Sequence, residues 1–327
     1  MPTIRYLLLA LVVAAVASSR IDPAIAQSGA TWPNQPIRLV VPFPPGGGAD
    51  LTTRTLADRF TAGLGQPVVV ENRTGANGVL GTDAVAKAKP DGYTILLTDR
   101  GALGINPSLY AALPYDPLKS FAYIGIATEG PFVVVVDPRL GLKTVADLVA
   151  LAKTKPINFG SFGVGSIAQL NLEAFSQKAG IKMVHIPYKG AAPAALAAVQ
   201  GDVAVTVGSP PAVIGHIRSG RLGAIAVNTA QRLAQFPDVP TLAESGMGDV
   251  MASTYFALAA PAGTPAPIIA RLNAELKAAV ASRIMIDKIV PVGLVPVGSS
   301  PEEAAKLVAS DIARFGALVK SIGIKPE

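Results

Sequence analysis

The chain has 327 residues, with 28 Lys and Arg against 22 Asp and Glu, a net charge of +6, two histidines and no cysteine. Without thiols there are neither disulfides nor thiol chemistry, and the basic residues lack the runs and aromatic interleaving that nucleic-acid binding calls for. A mild positive balance of this kind helps attract small anions.

Arg5 supplies a positive start, residues 6–17 are apolar, and Ala24-Ile25-Ala26 offers small residues for cleavage. This is the pattern of a secretory signal peptide over residues 1–26. An uncleaved anchor is the alternative, but the apolar core is shorter than the roughly 20 residues of a bilayer span. No later stretch comes near a membrane span without Gly, Pro or a charge breaking it. The expectation is a periplasmic protein, which the lack of cysteine fits. The roughly 300 residues that remain suffice for two domains.

After a polar joint over 27–36, strand and helix patterns alternate. The first series reads as strand 37–41, helix 49–63, strand 68–71, a loop at 72–78 opening a helix to about Lys87, and strand 93–98. A short helical piece at 106–110 and a prolyl loop at 113–117 follow. Two β-branched runs, 123–127 and 132–136, flank Glu129-Gly130-Pro131 and read as strands crossing between domains. The second series reads as helix 144–153, strand 157–160, helix 167–179, strand 182–186, helix 194–199, strand 203–207, helix 212–219 and strand 223–228. A further extended run at 254–259 suits a return crossing, before helices at 266–281 and 301–322. The expected fold is α/β: two lobes, each a mostly parallel sheet flanked by helices, joined by crossing strands. Lobe 1 is assigned 33–128 with 251–327, and lobe 2 is assigned 129–250.

Catalytic apparatus is scarce. His185 falls in a strand pattern and His216 in a helix, and no Gly-x-Ser-x-Gly elbow occurs. Metal-ligand spacings are missing, and Asp50 and Asp58 stand two helical turns apart. Residues 163–168 satisfy G-x-G-x-x-A, but the strand that follows ends His185-Ile186-Pro187-Tyr188-Lys189 without the acid a dinucleotide fold requires.

What stands out is a pair of glycine-rich strand-to-helix turns, Pro44-Pro45-Gly46-Gly47-Gly48-Ala49-Asp50 and Gly163-Val164-Gly165-Ser166. Each places backbone N–H groups at the positive end of a helix, a natural seat for an anion, although a tight turn without a ligand gives the same pattern. Three or four charge-assisted bonds of roughly 1.5–3 kcal/mol each, less the cost of closure, reach the ~8 kcal/mol of a micromolar site.

The chain resembles the extracytoplasmic solute receptors of tripartite tricarboxylate transporters, the Bug family. The resemblance runs along the chain through Trp32-Pro33, residues 41–50, Val70-Glu71-Asn72-Arg73, Gly75-Ala76-Asn77-Gly78 and Asn106-Pro107-Ser108-Leu109-Tyr110. It continues through residues 187–194, Pro237-Asp238-Val239-Pro240-Thr241 and residues 260–265. It implies a type II, Venus-flytrap periplasmic binding protein that closes on a small carboxylate and delivers it to membrane permease subunits. The ligand would be a mono- or dicarboxylate, an aromatic acid or an acidic amino acid. The receptor is expected to be a monomer and no enzyme, with no cofactor and no metal. The cleft residues implied are Phe43, Pro44, Gly46, Gly47, Gly48, Ala49, Asp50, Asn77, Gly78, Thr98 and Asp99 from lobe 1. Lobe 2 would add Gly163, Val164, Gly165, Ser166, Gln169, Tyr188, Lys189, Gly190, Ala191 and Ser209. Asp50 is expected to tie its own loop, since an acid facing an anion would repel it.

Two departures stand out. Gln169-Leu170 replaces a common His-Leu, and Asp99-Arg100 replaces small hydroxyl residues. Two roles stay open for Asp99 and Arg100: pairing with each other, or reading the far end of the ligand, Asp99 an amine or Arg100 a second carboxylate. An enzyme on the same scaffold, or a sensory receptor, are the competing readings.

Overall fold

The computed structural model describes residues 32–248 and 250–323, so the leader expected over 1–26 lies outside the described residues. The chain opens with β1 (Ile37–Val41), α1 (Gly48–Leu64), β2 (Val68–Asn72), α2 (Val79–Ala86) and β3 (Thr94–Asp99). A π-helical turn, Gly101–Ile105, runs into the short α3 (Asn106–Leu109) before the long β4 (Phe121–Gly130). Then come β5 (Val133–Val136), α4 (Val145–Thr154), β6 (Ile157–Ser161), α5 (Ile167–Ala179) and β7 (Met183–Pro187). They lead to α6 (Ala191–Gln200), β8 (Val205–Gly208), α7 (Pro210–Arg218) and β9 (Gly223–Val227). The chain finishes with β10 (Thr254–Pro261), α8 (Ala266–Val280), α9 (Arg283–Ile289), β11 (Val295–Pro296) and α10 (Pro301–Ser321).

Two sheets result, ordered β11-β4-β10-β3-β1-β2 and β7-β6-β8-β5-β9. β1 pairs in parallel with β2 and β3, and β6 with β7 and β8. β10 opposes both β3 and β4, as β5 opposes both β8 and β9. The expected α/β architecture of two helix-flanked sheets is found, but the sheets are mixed rather than mostly parallel, because β4, β5, β10 and β11 pair antiparallel with their neighbours.

Local chemistry explains the elements. Thr144 and Ser300 open α4 and α10 through capping boxes with Asp147 and Glu303, each pair satisfying two otherwise orphaned donors. The four valines of β5 are all buried. Val134 and Val136 join one apolar cluster with Phe159 and Phe175, while Val133 and Val135 join another with Ala195 and Val213. Alternate side chains of a strand face opposite ways, so a strand covered on both faces has no place for a polar residue. α6 and α7 start at Ala191 and Pro210, earlier than the apolar period suggests, because a first helical turn tolerates proline. The π-helical turn, α9 and β11 have no periodicity of their own and emerge only from the structure.

The chain changes sheets twice. Gly130 still pairs with Thr254 in the first sheet, whereas Val133 pairs with Gly208 and Val227 in the second. Phe132 between them donates its N–H to Asn228 Oδ1 at 2.6 Å and accepts the Asn228 N–H at 3.1 Å. On the return, buried Asn171 of α5 grips Ala252 with both ends of its amide, at 2.9 Å each. The next residue, Ser253, gives its carbonyl to Arg100. One lobe therefore holds Ala252 and the other holds Ser253. Replacing Asn171 by Ala strands both backbone groups of Ala252, a loss of about 2 kcal/mol. Urea titration should show the lower midpoint, and an unchanged midpoint would contradict the role given to this clamp.

Candidate functional site

The carboxyl ends of the parallel strands, where open α/β sheets form their crevices, carry most of the residues singled out in the sequence. β1 runs into the first glycine turn, and α1 starts at Gly48 behind Gly47, whose backbone is extended (φ −90°, ψ 179°) and which brings no capping side chain. The first bond inside the helix is Leu51 N–H to Gly47 O at 3.0 Å. The amides of Gly47, Gly48, Ala49 and Asp50 meet no acceptor among the described residues.

Asp50 holds this turn together. Its buried carboxylate accepts from Gly46 N–H at 3.1 Å, from Arg54 Nε at 3.0 Å and from Asn72 Nδ2 at 3.1 Å. Asn72 also donates to Phe43 O at 3.0 Å and accepts from Arg54 at 3.1 Å. Burial opposes ionisation of Asp50, but the Arg54 guanidinium and the Gly46 and Asn72 donors outweigh it and hold the carboxyl below its ordinary value. Gly46 thus gives its N–H to Asp50, and its left-handed φ of 90° is one that glycine adopts readily.

Around this turn, the Phe43 ring packs on Gly78, 3.6 Å from where a Cβ would stand. Asn77, with φ 49° and ψ 42°, exchanges amide bonds with buried Asn106 at 2.8 and 3.1 Å. Thr98 is fully buried at the end of β3, and its Oγ1 meets no partner among the described residues.

Asp99 accepts the Ala102 N–H at 3.0 Å, capping the π-helical turn. Burial pushes its carboxyl up to about 6, against the pull of the Ala102 and Gly101 amides and of Arg100. Arg100 does not pair with Asp99. It reaches Asp311 of α10 at 2.9 Å, lies 4.7 Å over the Tyr255 ring and bonds Ser253 O. Of the two roles left open, the pairing of Arg100 with Asp99 is not what is found, because Arg100 turns inward to a carboxylate 211 positions away.

The second glycine turn differs from the first. Ser161 Oγ accepts Gly163 N–H at 3.2 Å, Gln169 Oε1 accepts Gly165 N–H at 2.7 Å, and Gly163 O accepts Ser166 N–H at 3.2 Å. Ser166 in turn caps Gln169 N–H. The Val164, Ile167 and Ala168 amides meet no acceptor among the described residues, so this helix start also keeps open amides, though fewer than the first. Gln169 closes its own turn. Ser161 is held by His185, whose Nε2 lies 2.6 Å from Oγ and whose ring stacks on Phe159 at 5.0 Å; burial depresses the imidazole pKa. His185 is a supporting residue.

Tyr188 N–H bonds Ser161 O at 3.0 Å, which brings the loop of Tyr188, exposed Lys189 and Gly190 beside the second turn. α6 opens at Ala191 with Gly190 as its cap and no side-chain bond. Ser209 stands at the N-cap of α7 without a side-chain bond, and Pro210 and Pro211 follow, so that helix start has no amides in its first two positions. The lobes touch at Leu109, whose Cδ1 sits 2.1 Å from where a Cβ on Gly165 would be, and at Pro210 over Gly293. Leu109 was missed in the sequence because an apolar residue on a short helical piece has no signal of its own. Among the described residues no group of three or more side chains is set to hold a metal ion, and no helix is long and apolar enough to cross a membrane.

Two α/β lobes joined by paired crossings, with an uncapped helix start at the strand ends, are the features of a bilobal solute-binding protein. Residues 52–324 match the tripartite tricarboxylate transporter family receptor, and the chain belongs to that family. It is 40% identical over 301 residues to Protein BugT of Bordetella pertussis, covering 91% of this chain and 92% of BugT. It is similar to the R. palustris Rpa4515 structure with adipate (TM-score 0.85, 32% identity, covering 91% of this chain and 100% of that one). It is also similar to MatC from Rhodopseudomonas palustris with bound malate (TM-score 0.79, 28% identity, covering 88% and 100%). The protein is a solute-binding receptor of a tripartite transporter.

A carboxyl whose pKa is raised in the fold keeps a proton that the unfolded chain has released. Asp99 therefore lowers stability as pH rises from its ordinary 3.8 through about 6. Asp311 and Glu173 are raised in the same direction, both mainly by burial, so the informative quantity is a difference. The melting temperature of the wild type minus that of Asp99→Asn should fall between pH 4.5 and pH 7, and a flat difference would contradict the reading of Asp99.

Proposed function

We propose that the receptor closes on a small carboxylate seated on the amides of Gly47, Gly48, Ala49 and Asp50, in the periplasm, and presents it to the membrane permease. The observation that carries this reading is the row of uncapped amides held open by Asp50 at the positive end of a 17-residue helix. Adipate in Rpa4515 and malate in MatC support a carboxylate. The lobes, 33–128 with 251–327 and 129–250, close as bodies about Pro131 and the Ala252–Ser253 peptide. Phe43, Pro44, Asn77, Gly78, Thr98 and Asp99 line one wall; Val164, Tyr188, Lys189, Gly190, Ala191 and Ser209 line the other. Gly46, Gly163, Gly165, Ser166 and Gln169 shape their turns through internal bonds. The leader over 1–26 directs export, and the bound acid leaves chemically unchanged.

A screen of small acids by thermal shift tests this directly, because a ligand that binds only the fold raises its melting temperature. Carboxylates should raise it and be recovered intact after long incubation. A carboxylate consumed in the incubation would turn the reading toward an enzyme.

Gly48→Pro isolates the amides. Gly47 already has the extended backbone that a following proline requires, proline suits the first helical position, and a Cβ on Gly48 meets nothing closer than 3.4 Å. The variant should melt near the wild type yet bind carboxylates roughly tenfold or more weakly, the effect of losing one charge-assisted bond. Unchanged affinity would remove the helix start from the site.

A further inference from the structure

Asp99, Arg100 and Asp311 place three charges at the carboxyl end of β3. Arg100 and Asp311 neutralise each other at 2.9 Å, both buried. The guanidinium is further engaged by the Tyr255 ring and Ser253 O. Asp99 is left over, so the group holds a net charge of −1.

Among the described residues no other cation of the site forms an ion pair with Asp99, exposed Lys189 of the facing wall included. Arg54 serves Asp50 and Asn72. Arg314, exposed on α10, acts on Asp311. The phenol of Tyr115, pushed up by burial and by Asp99, is neutral. Asp99 takes the Ala102 amide on Oδ1, and the Gly101 amide and Arg100 also act on its carboxyl, but no side chain among the described residues forms an ion pair with it.

Asp99 is half-buried at the carboxyl end of β3, between fully buried Thr98 and buried Arg100. It stands opposite Phe256 in the β3–β10 ladder, and directly opposed residues present their side chains to the same face. The Phe256 ring lies 3.4 Å from where a Cβ on Gly48 would stand. The first open amides of α1 and the Asp99 carboxylate thus flank one aromatic ring.

We infer that Asp99 makes the cleft select a zwitterion, a small acid whose carboxylate sits on the α1 amides while a cationic nitrogen bonds Asp99 across the Phe256 ring. The inference rests on the carboxylate reading above and narrows its ligand class. A dicarboxylate in the same pose brings its second charge against Asp99, whereas an ammonium restores neutrality. A buried charge left without a partner is unfavourable, and a charge-assisted bond relieves it.

The test titrates the full protein at pH 7.5 by calorimetry with two pairs, succinate with β-alanine and glutarate with γ-aminobutyrate. Each pair exchanges one carboxylate for an ammonium. The wild type should favour the amino member of at least one pair by roughly tenfold, and Asp99→Asn, which keeps the oxygen that caps Ala102, should erase or reverse that preference. Melting temperatures without ligand confirm that the variant folds. Dicarboxylates bound better by the wild type, or a preference indifferent to Asp99→Asn, would overturn the inference and leave the carboxylate reading standing. Dicarboxylate binding that strengthens below pH 6 in the wild type alone would overturn it too, showing protonated Asp99 as a donor to an acid. Should neither pair bind while Gly48→Pro matches the wild type in the wider screen, the carboxylate reading falls and the inference with it.

Discussion

The Asp50 carboxylate is the constraint on which the cleft depends. It is buried and accepts three hydrogen bonds, from the turn before α1, from the next turn of α1 and from the end of β2. The attraction that draws an anion to a helix start would also draw a side-chain cap, which would fill the site from within. Here the cap is a glycine, and the acid in the first turn faces backward to Gly46 and Arg54. The amides stay open because the negative charge nearest to them is satisfied elsewhere. Asn72 extends the same network to Phe43, so the wall and the helix start are fixed by one set of bonds.

The second lobe is organised the other way. Its glycine turn closes on itself through Ser161, Ser166 and Gln169, and Leu109 of the first lobe rests against Gly165. The first turn offers four adjacent open amides, while the second keeps those of Val164, Ile167 and Ala168 open and saturates the others among the described residues. At the return crossing Ala252 is gripped by Asn171 and Ser253 by Arg100, so adjacent residues are held from opposite lobes.

The fold was legible in the sequence wherever one residue type had a single role. The all-valine β5, the Thr144 and Ser300 caps and the glycines ending α1 and α5 follow directly from burial, capping and left-handed turns. Residues 101–105 have no 3.6-residue period, and β11 is two residues long, so neither left a pattern to find. In the site, the open amides of α1 could be read from three glycines followed by a helical period. Which amides of the second turn were taken could not, because that depends on where the Gln169 and Ser161 side chains point. The partner of Arg100 was out of reach for a similar reason: local spacing suggests Asp99, and only the packing of α10 against the first lobe brings Asp311 into place.

The two charged groups beside the cleft therefore differ in kind. Asp50 is satisfied by hydrogen bonds from the turn, α1 and β2; Asp99 takes the Ala102 amide and has no side-chain cation paired with it among the described residues. A crystal structure of the protein with a bound carboxylate tests the seat most directly. A carboxylate oxygen is expected within about 3 Å of the Gly48 and Ala49 nitrogens. A ligand bound away from that helix start, with those amides turned to solvent, would contradict it.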